Sequence, residues 1–94
     1  MIESFADRHT AAIFLGKKTK RFGADIARTA LRKLKQLDSA VSLDDLRNLP
    51  GNRLELLRGN RKGQFSFRVN DQWRICFYWR EGNAHEVEIL DYHA

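Results

Sequence analysis

The sequence predicts an α+β fold, with two N-terminal helices packed on one face of a mainly antiparallel sheet of about five strands. Two observations carry that expectation. As far as residue 49 the apolar side chains recur at three- and four-residue spacing, and beyond the Pro50-Gly51 break they alternate. In the second half, three turns marked by Gly, Asn or Asp separate four strand-like runs, as in an antiparallel meander. A block of helices followed by a block of strands is the order of an α+β protein, not of an alternating α/β one. The chain has 94 residues and is expected to form one domain spanning 1–94. A chain of this size buries only about two-thirds of its unfolded surface, so each large apolar side chain matters.

The elements follow in order. "MIESF" reads as a short strand with Ile2 and Phe5 as its apolar members, and "ADRHTAAIFLG" as a helix stopped by Gly16. "KKTKR" places four cations in five positions and is expected to be exposed. The clearest helix covers residues 24–38, where Ile26, Ala30, Leu31, Leu34 and Leu37 form one apolar stripe. Arg28, Arg32, Lys33 and Lys35 lie off that stripe and are read as a solvated basic face. In "SLDDL", Ser42 and Asp45 have capping-box spacing for one short helical turn. Then come "RLELLR" as a strand, "GNRKG" as its turn, "QFSFRV", a tight turn at Asn70 and Asp71, "QWRICFYW", the turn "REGNA", and "HEVEIL" as the last strand.

Alternation sorts the strand side chains. Phe65, Phe67 and Val69 share one face, as do Trp73, Ile75, Phe77 and Trp79, and the helical stripe covers that face. The other face carries Arg68, Arg74 and Tyr78, a cationic, aromatic-bearing surface. RNA could lie there, with phosphates on arginines and bases against rings.

Composition narrows the function classes. No apolar run approaches the ~20 residues of a membrane span, and the N-terminus lacks the basic-then-apolar order of a signal peptide. The single cysteine, Cys76, excludes an internal disulfide, which makes a reducing cytoplasm the default. Nothing near it has metal-ligand spacing, so neither metal nor cofactor is expected. The net charge of +5 and pI near 9.8 favour a polyanionic partner. Most of that excess is local: residues 53–74 hold six cations and two acids, a net +4.

"LRGNRKGQFSFRVNDQWRICF", together with "DYH" at residues 91–93, resembles the HigB group of the RelE-like toxins of bacterial toxin–antitoxin systems. The resemblance covers nearly the whole chain. It implies a RelE-like fold and a ribosome-dependent mRNA endonuclease that cuts the codon in the A site and stops translation. It implies no metal, since the substrate's own 2′-hydroxyl attacks and leaves a cyclic phosphate. The implied partners are the ribosome, mRNA and a helix-turn-helix, HigA-like antitoxin, with operator DNA bound only through the antitoxin complex.

The resemblance also suggests roles. Arg74 and Arg58 match basic positions of the family pattern and are candidates for stabilising the phosphorane, with Arg68 a third cation; Arg61 and Lys62 would bind RNA. His93 aligns with the family's terminal histidine as general acid or base, its ordinary pKa of ~6.5 suiting proton exchange near neutrality. Tyr92 shares strand parity with Glu88 and Leu90, so it would reach the open face to stack on a base or aid proton transfer. Asp91 would orient His93 or a neighbouring arginine. Where some members carry a histidine in the strand before the basic hairpin, this sequence has Glu55, which could serve as a base if its pKa were raised but also adds negative charge near RNA. The basic stretch at 17–21 and the polar side of the long helix could contact ribosomal RNA. A non-catalytic RNA- or ribosome-binding module is the alternative that charge and aromatics alone would also satisfy.

Overall fold

The computed structural model describes residues 1–91. Three helices, α1 (Arg8–Phe14), α2 (Ala24–Ser39) and α3 (Leu43–Arg47), precede four strands, β1 (Glu55–Leu56), β2 (Phe65–Arg68), β3 (Trp73–Arg80) and β4 (Asn83–Asp91). The strands form one antiparallel sheet in the order β1-β2-β3-β4. The helices begin and end where local chemistry requires. The Asp7 carboxylate accepts the Thr10 amide at 2.8 Å at the start of α1, and Gly16, at φ 75°, supplies the left-handed residue just beyond its end. The Asp45 carboxylate accepts the amides of Val41 and Ser42 ahead of α3.

The alternation is realised. Phe67, Val69, Ile75, Phe77, Val87 and Ile89 form one buried core with Ala30, Leu34 and Leu37 of α2, Ile13 of α1 and Leu46 of α3. Each Leu or Phe buried this fully contributes about 1.5–3 kcal/mol before conformational entropy is set against it. Ile26, Leu31, Trp73 and Trp79 pack at the margin.

Three expectations need correction. First, the sheet has four strands. The N-terminal segment meets β4 only at two isolated parallel bridges, Ile2 with Ala84 and Phe5 with Val87. Between them β4 bulges: Cys76 pairs with Glu88 but Tyr78 pairs with His85, so Glu86 and Val87 together oppose Phe77. Glu86 takes φ 52°, and its amide donates to Ser4 Oγ at 2.9 Å instead of to a backbone carbonyl. A continuous fifth strand cannot form across that interruption. The segment still covers the β4 edge, with Glu3 donating to the Ala84 carbonyl at 2.8 Å and Val87 to that of Ser4 at 3.0 Å. Thr10 Oγ1 takes the next edge amide, that of Ile89, at 3.0 Å.

Second, "RLELLR" contributes only the two residues of β1, because Arg53 turns the chain at φ 47°. The run "GNRKG" is a wider loop containing a 3-10 turn at Gly59–Arg61. Third, Lys33 is not solvated. It is 7% exposed, its ammonium donates to the Oδ1 of the fully buried Asn52, and Asn52 Nδ2 donates to the Leu46 carbonyl at 3.1 Å. Burial, then the neighbouring Arg32 and Arg68, hold the Lys33 pKa below its ordinary value.

Candidate active site

The sheet face away from the helices is not an open plane. The loop between β1 and β2 folds back over it and encloses a cleft of about 320 Å³. Leu57, Arg58, Asn60 and Arg61 form the loop side. Ser66, Arg74 and Cys76 form the floor, and Leu90 and Asp91 the far wall. The placement follows from register: Ser66 pairs with Cys76, Arg68 with Arg74, and Arg74 with Leu90, which aligns these side chains across β2, β3 and β4.

Arg74 is the most constrained of them. It is 5% exposed; its Nε donates to Ser66 Oγ at 2.9 Å, and its Nη2 donates to the carbonyls of Arg53 at 2.6 Å and Ser66 at 3.2 Å. Glu55 Oε2 lies 3.9 Å from the same Nη2. A planar fork fixed at this many points is a preorganised cation, which a lysine could not reproduce. Arg61 donates from Nη1 to Glu88 Oε1 at 2.9 Å and to Gln64 Oε1 at 3.2 Å, and the bond to Glu88 raises its pKa further. Burial pushes the Cys76 thiol up to about 11, so it stays protonated.

The structure therefore brings Arg58, Arg61, Arg74 and Asp91 to one cleft. Arg58 is exposed and makes no ion pair among the described residues. Asp91 accepts from Gln72 Nε2 at 3.0 Å. Arg68 shares the face of Arg74 as parity predicted, but it pairs with Asp71 at the hairpin end and does not line the cleft. Lys62 is exposed on the loop, also outside the lining, and Glu55 lies beside Arg74 on the same face, at the β1 edge, but does not line the cleft. Tyr92 and His93 lie outside the described residues. Among the described residues no group of three or more His, Cys, Asp or Glu side chains could hold a metal ion.

Ser66, Cys76 and Glu88 lie on the face that alternation assigns them, but the sequence gives none of them a part in the site. Strand parity with Arg74 places all three on this face, but polar and small residues carry no signal of their own when they stand between large aromatics.

This helix-backed sheet is a RelE-like toxin fold. A chain of the YoeB-YefM complex from Staphylococcus aureus superposes with a TM-score of 0.62 over 100% of this chain and 99% of that one, at 15% identity. The chain belongs to the HigB family, described as RelE-like toxins of type II toxin–antitoxin systems, whose model matches residues 3–93. It is 46% identical to Toxin HigB-1 of Vibrio cholerae over 68 residues, 72% of each chain. It is 30% identical to Endoribonuclease HigB of Proteus vulgaris over 93 residues, 99% of this chain and 100% of that protein. Among the described residues no helix is long and apolar enough to cross a membrane.

Proposed function

We propose that this chain is a cytoplasmic endoribonuclease of one domain that cuts mRNA in the ribosomal A site and is neutralised by a HigA-like antitoxin. The observation carrying the reading is the convergence of Arg58, Arg61 and Arg74, from a loop and a central strand, on one cleft in a family of toxins. The name of the Proteus relative supports the reaction class.

The chemistry suits the donor set. The 2′-oxygen of the substrate forms a bond to phosphorus, the bond from phosphorus to the 5′-oxygen breaks, and a 2′,3′-cyclic phosphate and a 5′-hydroxyl result. The nucleophile belongs to the substrate, so the protein supplies charge and protons. Arg58 and Arg74 stabilise the charge that builds on the phosphorane, each such contact being worth about 2–4 kcal/mol. Arg61, Lys62 and Arg68 hold the strand on either side. His93 takes or delivers the proton, Tyr92 assists or stacks on a base, and Asp91 orients its neighbours. Glu55 sits against Arg74, which suits a support for that guanidinium better than a second base.

The test is to induce the wild type and His93→Ala in bacteria and map mRNA 5′ ends. Codon-registered cuts that vanish in the variant support the reading. Growth arrest without cuts, or arrest that survives His93→Ala but not loss of the arginines, would establish the non-catalytic binding module instead.

A further inference from the structure

Arg61 and Glu88 raise a question that RNA binding does not answer. A carboxylate stands on a face that must receive a polyanion, and it neutralises one of the cations there. The pair is not a loose surface contact. Its N–O distance is 2.9 Å, and the two side chains keep only 32% and 27% of their exposure. It joins the 3-10 turn of the loop to β4, spanning 27 residues of sequence.

The rest of the loop is weakly held. Its internal bonds are local ones, Lys62 amide to Gly59 carbonyl at 3.1 Å and Gln64 amide to Arg61 carbonyl at 3.0 Å, closed at the base by Leu57 amide to Gln64 carbonyl at 2.8 Å. Gly63 passes over Tyr78 closely enough that a Cβ would lie 3.6 Å from that ring. Among the described residues, Glu88 is the one acidic group that ties the tip of this loop to the sheet. Both Arg61 bonds are made by Nη1, which leaves Nε and Nη2 available to a phosphate.

We propose that Glu88 is a positioning residue: through Arg61 it locks the 57–64 loop over the sheet and so sets where Arg58 and Asn60 stand in the cleft. Glu88 touches neither phosphate nor proton in this role. It opposes RNA binding by its charge and favours turnover by preorganising the loop. The two effects have opposite signs, and that makes the role measurable. The rate arm of the test rests on the endonuclease reading, and a second arm does not.

The variants are Glu88→Ala, Glu88→Gln, Arg61→Ala and the double Glu88→Ala/Arg61→Ala, with cleavage of ribosome-bound message measured at several message concentrations. In Glu88→Ala, kcat should fall by about tenfold or more while KM stays level or drops, because a misplaced group costs rate and a lost negative charge costs no affinity. Glu88→Gln keeps an oxygen acceptor for Arg61 and should recover most of the rate. In the Arg61→Ala background, Glu88→Ala should cause no further loss of kcat, because the loop effect runs through Arg61. Amide hydrogen exchange supplies the independent arm: the amides of Lys62 and Gln64 should exchange about tenfold faster or more in Glu88→Ala, with those of β3 unchanged. An unchanged kcat, or an equal Glu88→Ala effect with and without Arg61, overturns the proposal, as does unaltered exchange in the loop. If the wild type cuts no RNA, the endonuclease reading falls, and the exchange arm still decides the lock.

Discussion

The burial of Arg74 makes its removal a test of stability before it is a test of catalysis. Among the described residues, Arg74→Ala deletes three hydrogen bonds, to Ser66 Oγ at 2.9 Å and to the carbonyls of Arg53 and Ser66 at 2.6 and 3.2 Å. Bonds to a charged group contribute about 1.5–3 kcal/mol each, but those made by one guanidinium do not add fully, so about 3–5 kcal/mol is expected in total. Small domains hold only about 5–15 kcal/mol, so this is a large share. At a urea slope of about 1.5 kcal/mol/M, the unfolding midpoint should fall by about 2–3 M. Arg74→Lys keeps the charge but cannot make the fork, and should lose about half as much. Urea titrations followed by tryptophan fluorescence measure both. A loss below about 1 kcal/mol in Arg74→Ala would refute the account of Arg74 as a cation fixed by its hydrogen bonds. A folded Arg74→Lys that no longer cuts RNA would then report on chemistry rather than folding.

Other outcomes follow from the same geometry. Asn52→Ala strips the buried Lys33 ammonium and the Leu46 carbonyl of their partner, and should cost about 2–4 kcal/mol and lower the melting temperature by about 10 °C or more. Burial holds Lys33 below its ordinary 10.5, so the folded state binds this proton less well. Wild-type stability relative to Lys33→Met should therefore rise as pH climbs through the folded pKa towards 10.5, read by urea titration across that range. Cys76 behaves oppositely: its thiol is raised from 9.0 to about 11, so its contribution is complete below pH 9 and is lost between 9 and 11. At pH 8 it should react with a maleimide about a hundredfold more slowly than an exposed cysteine. Gly63→Ala should cost about 1–2 kcal/mol from its φ of 92° alone, since the added Cβ meets Tyr78 at an ordinary 3.6 Å, and a thermal melt checks it.

Periodicity and turn residues made most of the architecture legible. The stripe on α2, the stop at Gly16 and the meander after Pro50 each rest on interactions within a few residues, which is the range a sequence pattern reports. Lys33 shows where that range ends. A lysine at the edge of an apolar stripe looks solvated until Asn52, nineteen residues away, provides an acceptor inside. The site divides in the same way. Parity placed Arg74 and Arg68 on one face correctly, but only the three-dimensional path of the 57–64 loop separates Arg61 and Arg58, which line the cleft, from Arg68, which does not. The pairing of Arg61 with Glu88 was illegible because charge alone does not say which of twelve acids will meet a given arginine.

The bulge in β4 ties strand length to everything on both sides of the sheet. Ala84, Val87 and Ile89 all reach the core although the first two lie three positions apart instead of two. Deleting Glu86 would rotate residues 83–85 by half a pleat, turning Ala84 to solvent and His85 inward, and would take away the amide that Ser4 receives. Any chain that keeps this core must therefore keep the extra residue, whatever side chain it carries. Insertions and deletions should be tolerated at the β3–β4 hairpin tip and excluded here.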